Sequence, residues 1–169
     1  MDQLGAIATS LDPPMIVVTT AHDDDRAGCL VGFHAQTSIE PLRYGVWLSK
    51  ANRTWRVSQL ASHLAVHFLH ADDHQLARHF GTLTGDDVDK FTDVAHRPGP
   101  GGVPVLEACS HVLVGRRTTV LDEGGDHTCV ILEPETVSWS TSDIERFEPL
   151  RLSAVDHLPP GHEAADRQV

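Results

Sequence analysis

Two short apolar runs constrain this chain most: Pro14-Met15-Ile16-Val17-Val18-Thr19-Thr20 and Ala27-Gly28-Cys29-Leu30-Val31-Gly32-Phe33. The first is crowded with β-branched residues and reads as a buried strand. The polar residues His22 to Arg26 turn the chain back, so the second run returns as the other arm of a β-hairpin with a five-residue connection. Gly28 and Gly32 inside that arm mark bulges or places where another group comes close to the backbone. Runs of similar length recur at Arg43–Ser49, His63–Leu69, Ala108–Leu121 and His127–Leu132, with a short one at Val137–Trp139. Hairpins between neighbours imply antiparallel pairing, and many short strands in one domain imply a closed barrel. No G-x-G-x-x-G follows a strand, which disfavours a Rossmann fold.

Helices are expected only between strands. One is capped by Asn52 or Thr54 and runs to about Ser62; a second starts at Asp72, runs through Phe80 and closes at Gly81. A short acidic helix is expected from Asp86 to Thr92. The Pro- and Gly-rich stretch Arg97–Pro104 reads as an ordered surface loop or lid.

Composition excludes several function classes. The 169 residues, 40% hydrophobic, suffice for one domain with a proper core. A formal net charge of -11 argues against non-specific nucleic-acid binding. The Asp23-Asp24-Asp25 and Asp86-Asp87-Val88-Asp89 runs read as solvated turns. No apolar run is long enough to span a bilayer, and the N-terminal residues show no signal-peptide pattern. Cys29, Cys109 and Cys129 are odd in number and have no CxxC spacing, so a cytoplasmic protein without structural disulfides is expected. Residues 1–158 read as one domain, and 159–169 as a loosely ordered tail.

Twelve histidines invite a metal reading, but His63, His67, His70 and His74 straddle a strand and diverge, so surface histidines and no metal are expected. No G-x-S-x-G is present to supply a hydrolase nucleophile. Cys29 alternates with Ala27 and Val31 and reads as core. The elbow Gly32-Phe33-His34-Ala35-Gln36-Thr37-Ser38 is different. Its small residues and polar flanks suit a flat heterocycle held along its edge by backbone groups, with an irregular edge strand as the alternative. At Ser49-Lys50-Ala51-Asn52-Arg53-Thr54, hydroxyls and cations precede a helix, a natural phosphate site, with ordinary capping as the alternative. In Gly125-Asp126-His127 the histidine leaves a tight turn and can project over a pocket, with a plain surface turn as the alternative.

Taken in order, PPMIVVTT, RAGCLVGFHAQTSIEP, VWLSKANRTWRV, LARHFG, RPGPGGVPVLEA and GDHTCVILE make the chain resemble the flavin reductase-like, FMN-binding split-barrel family from about Pro13 to Glu133. The resemblance implies a mainly β fold, a six-stranded antiparallel split β-barrel of Greek-key type with two or three inserted helices, working as a homodimer. It implies NAD(P)H-dependent reduction of FMN or FAD, and supply of reduced flavin to a partner monooxygenase. By position, Val31, Gly32, Phe33, His34, Ala35 and Gln36 would run beside the isoalloxazine, and Thr37 and Ser38 toward the ribityl and phosphate. Ser49, Lys50, Ala51, Asn52 and Thr54 would hold the phosphate, with Arg78 nearby. His127 would face the nicotinamide as the catalytic residue. No basic cluster for a 2′-phosphate stands out, which favours NADH. The rival readings are a non-catalytic flavin carrier or sensor, and a barrel that takes haem or a deazaflavin.

Overall fold

The computed structural model describes residues 3–139 and 144–161. In chain order these form α1 (Gln3–Ser10), β1 (Ile16–His22), β2 (Asp25–Val31), β3 (His34–Ser38), β4 (Arg43–Ser49), α2 (Arg53–Ser58), β5 (His63–Phe68), α3 (His74–Thr82), β6 (His96–Pro98), β7 (Pro104–Leu106), β8 (Val112–Leu121) and β9 (His127–Ser138). Seven strands make one sheet in the order β2-β1-β5-β8-β9-β4-β3, and β6 pairs only with β7. Every pairing is antiparallel.

The connections bend this sheet into a half-barrel. β2 and β3 lie at its opposite edges, yet only Gly32 and Phe33 join them. Such a link spans at most about 11 Å, whereas seven strands laid flat would hold the edges about 29 Å apart at roughly 4.8 Å per strand. The sheet therefore curls until its edges approach. Strand alternation then sorts the side chains into two cores. Ile16, Val18, Cys29, Val46, Leu64, Val66, Leu113, Val130 and Leu132 fill the inside of the curl. Met15, Val17, Ala65, Val112 and Val114 face outward, packed by Ala77 and Phe80 of α3, Val103 before β7 and Val105 within it, and Leu150 and Val155. A Cβ at Gly28 would sit 2.9 Å from the Phe80 ring, so the glycine in β2 is what lets α3 lie so close.

Several expectations change in detail. The sheet has seven strands, not six, because the elbow after β2 is itself the edge strand β3 and bulges between Gln36 and Ser38. The β1–β2 connection is the two-residue turn Asp23-Asp24, since His22 pairs with Asp25 and Asp23 takes a φ of 51°. α2 stops at Ser58, leaving Leu60 exposed, and Gly81 lies inside α3, not after it. The acidic stretch Asp86–Thr92 forms turns, not a helix. Residues 137–138 belong to the end of β9. The Pro- and Gly-rich stretch is no lid: it forms the β6–β7 pair around a 3-10 turn, and Thr19 donates its hydroxyl to the Pro104 carbonyl from β1. α1 was not foreseen; none of its residues is buried. Residues 159–161 of the expected loose tail are described, and the remainder of that tail lies outside the described residues.

His67 also departs from expectation, being fully buried, not at the surface. Its Nε2 accepts the Leu106 backbone N–H at 3.0 Å, which leaves Nδ1 to donate to the Val17 carbonyl at 3.1 Å. The neutral ring thereby ties β5 to β1 and β7, and burial pushes its pKa down to about 4.

Candidate functional site

Three separated sequence segments meet on one side of β4. The Phe33 carbonyl accepts the Trp47 N–H at 2.9 Å, fixing the β2–β3 link against β4. Ser49, the last residue of β4, pairs with His127, the first of β9. The Lys50 N–H donates to the Asp126 carbonyl at 2.9 Å, continuing that ladder into the turn. As a result the Phe33 and His127 rings meet edge-on, centroids 5.2 Å apart and 64° inclined. Phe33 remains 58% exposed, a large apolar ring standing beside a half-buried imidazole. Elbow, phosphate turn and Gly-Asp-His turn therefore form one open shelf.

The side chains on that shelf divide by what they are free to do. Ala35, Gln36 and Thr37 are exposed on β3, whose outer edge pairs with no strand among the described residues, so its backbone groups there are open to a ligand. Gly45 permits this edge to lie close, because a Cβ there would meet the Thr37 methyl at 2.8 Å. Gly32 is half-buried beside Met15, and Ser38 is half-buried at the bulge. Val31 turns its side chain into the inner core. His34 is committed: Nε2 reaches the Pro14 carbonyl at 2.9 Å and Nδ1 the Tyr44 hydroxyl at 2.7 Å. A carbonyl can only accept, so Nε2 carries the proton and Tyr44 donates to Nδ1. Burial pushes His34 down and the Tyr44 hydroxyl up to about 12.

In the turn, Ser49 is half-buried and its hydroxyl makes no hydrogen bond among the described residues. Ala51 keeps the turn small. Asn52 caps α2, its Oδ1 accepting the Thr54 N–H at 3.0 Å. Thr54 itself is buried, so its side chain packs in the core while its backbone N–H serves the helix start. Lys50 holds Asp122 at 2.8 Å, and this ion pair with the Gly124 N–H keeps the Asp122 carboxyl below its usual range. Arg78 is exposed on α3, and no hydrogen bond or ion pair among the described residues joins it to the turn. The two elements are nonetheless neighbours, since Asn52 and the α3 residues Phe80 and Gly81 line one small cavity of about 30 Å³.

His127 is oriented by the residue before it. Its Nδ1 lies 2.8 Å from the Asp126 carboxylate, which holds the proton on Nδ1 and leaves Nε2 as an acceptor. Asp126 was legible as part of Gly-Asp-His, but its role was not singled out. Asp122, Asp25 and Asp86 were missed altogether. Arg53 meets Asp25 at 2.6 Å and Asp86 at 3.4 Å, while Arg56 meets Asp86 at 2.5 Å. Those long-range pairings have no signal in the spacing of the sequence.

The larger cavity near this region, about 340 Å³, lies between the start of β2, Arg53 and residues Gly85–Phe91. Asp24, Asp25, Asp86, Asp87 and Asp89 outnumber Arg26, Arg53 and Lys90 on its walls, a poor lining for an anionic nucleotide. Among the described residues no group of His, Cys, Asp or Glu could hold a metal ion, and no helix is long and apolar enough to cross a membrane.

This curled antiparallel half-barrel with few helices is the fold of a flavin reductase-like protein. The flavin reductase like domain family matches residues 8–152, and the chain belongs to that family. It is 28% identical over 122 residues to the reductase subunit HsaB of a flavin-dependent monooxygenase of Mycobacterium tuberculosis, covering 72% of this chain and 63% of that protein's length. It shares its fold with the NADH:FAD oxidoreductase SgcE6 of Streptomyces globisporus C-1027, at a TM-score of 0.73 and 24% identity over 81% of this chain and 82% of that one. An FMN-binding protein of Thermus thermophilus with bound p-hydroxybenzaldehyde matches at a TM-score of 0.74 and 22% identity, over 83% and 79% of the two chains.

Proposed function

We propose that this protein is an NAD(P)H:flavin oxidoreductase that reduces FMN or FAD as a homodimer and supplies reduced flavin to a partner monooxygenase. The observation that carries the reading is the Phe33–His127 contact, which puts the elbow and the Gly-Asp-His histidine on one shelf. The residues fit a flavin: an open backbone edge on β3, an uncommitted Ser49 hydroxyl at the end of the adjoining strand β4, and a cation at Lys50 in the turn that follows. Family membership and the mycobacterial reductase subunit support the same assignment.

When bound, a flavin supplies the hydride acceptor for a reduced nicotinamide. The chain's contribution is binding and alignment. The β3 backbone edge would hold the polar rim of the ring system, with Phe33 against its apolar surface. Ser49, Lys50, Ala51 and Asn52 would hold the phosphate end; Lys50 reaches it by exchanging Asp122 for phosphate. Thr54 would act through the helix start, and Arg78 from α3. His127, its Nδ1 proton held by Asp126, would present Nε2 to the carboxamide N–H of the nicotinamide. A second copy of the chain would cover the open shelf and exclude water. Steady-state NAD(P)H oxidation with FMN and FAD side by side tests this proposal; no flavin-dependent oxidation with either cofactor would refute it.

A further inference from the structure

A cavity of about 320 Å³ opens where β5 ends and β8 begins; it shares no lining residue with the shelf, though its Phe68 wall touches Tyr44, which holds His34. The volume is at the small end of ligand cavities, which run roughly 300–1,000 Å³, and so suits one ring better than a dinucleotide. Its walls carry Phe68, His111 and Phe147. The His111 ring lies 4.7 Å from that of Phe147 and 4.2 Å from that of Trp139, inclined about 60° to each, so aromatic faces and edges are both presented.

Polar groups converge on the same space. Arg146 lines it, is exposed, and forms no ion pair among the described residues. An uncommitted guanidinium in a chain of net charge -11 is available to a carboxylate. Ser110 lines the cavity with its hydroxyl likewise unbonded. Asp73 stands on the wall too, and its carboxylate accepts the His70 N–H at 2.8 Å, with lone pairs left over.

We infer that this cavity binds a small planar aromatic acid. The carboxylate pairs with Arg146, the ring packs among Phe68, His111 and Phe147, and a ring hydroxyl donates to Asp73. The inference goes beyond the proposed reductase activity and does not rest on it.

Calorimetric titration of the full chain with benzoate and with 4-hydroxybenzoate tests it, each with and without FMN. One equivalent of each acid binds, the hydroxylated acid more tightly, and FMN leaves both affinities unchanged. Arg146→Gln, on an exposed side chain, weakens both acids by roughly tenfold or more. Asp73→Asn removes the preference for 4-hydroxybenzoate while benzoate binds as before. No saturable binding at millimolar acid, an unaffected Arg146→Gln variant, or competition by FMN would overturn the inference.

Discussion

The ring of Phe33 and the imidazole of His127 meet edge-on at 5.2 Å although 94 positions separate them in the chain. The two-residue link after β2 carries one and the first residue of β9 the other, and β4 brings them together. Because Asp126 holds the Nδ1 proton, His127 in the proposed reaction would serve as a positioning acceptor. His127→Ala should therefore lower kcat/KM for NAD(P)H about tenfold or more, roughly 1.4 kcal/mol or more of transition-state stabilisation. Flavin affinity, read by fluorescence titration, should stay nearly unchanged. Asp126→Asn should give a smaller loss of the same kind.

Lys50 and Asp122 make the phosphate end testable. Lys50→Ala should weaken FMN about threefold to tenfold, an amount expected of an exposed ion contact, and leave riboflavin binding unaffected. Asp122→Asn removes the competing carboxylate, so FMN should bind more tightly and show a steeper dependence on ionic strength. Equal effects on FMN and riboflavin would show that Lys50 does not meet the phosphate.

The burial of His67 sets a pH dependence of stability. Its folded pKa, about 4, lies below the ordinary value of 6.5, so the neutral ring stabilises the fold fully above pH 6.5. That stabilisation is lost as pH falls from 6.5 through about 4, up to roughly 3 kcal/mol in all. Denaturant midpoints measured across this range should fall with pH, and His67→Gln should flatten that part of the profile while lowering stability throughout. A profile identical to the parent's would remove His67 as its source.

Lys90 is a second buried point of weakness. Its Nζ donates to the carbonyls of Gly28 and Phe80, at 2.9 and 3.0 Å, locking β2 to α3. Burial pushes its pKa down. Lys90→Met keeps the stem but strands both carbonyls, and should cost about 2–4 kcal/mol in chemical denaturation. A loss below roughly 0.5 kcal/mol would show that water replaces the ammonium.

Much of the fold was legible because the strands are short, β-branched and bounded by turns; the registers were not, since the β1–β2 turn is three residues shorter than its polar run suggests and the β4–β9 pairing joins segments far apart in the chain. The elbow's identity as an edge strand was harder to read, since exposed β3 residues show no apolar alternation. His67 looked like a surface residue because burial of a histidine depends on two backbone partners distant in sequence. At the candidate site, Phe33, Ser49, Lys50 and His127 lie close together, and Asn52 caps α2 as its place before the helix suggested, but nothing in the sequence shows that His34 is tied to Pro14 and Tyr44. The carboxylates that neutralise Lys50, Arg53 and Arg56 arrive from remote turns and leave no local trace.

The central claim is hydride delivery to a flavin on the Phe33–His127 shelf, and anaerobic rapid mixing of the full chain, FMN and NADH tests it most directly. The oxidised flavin absorbance should disappear with one NADH consumed per flavin, and His127→Ala should slow that loss about tenfold or more without altering its extent. Flavin that binds yet stays oxidised in the presence of both NADH and NADPH would contradict the account and leave the protein a carrier.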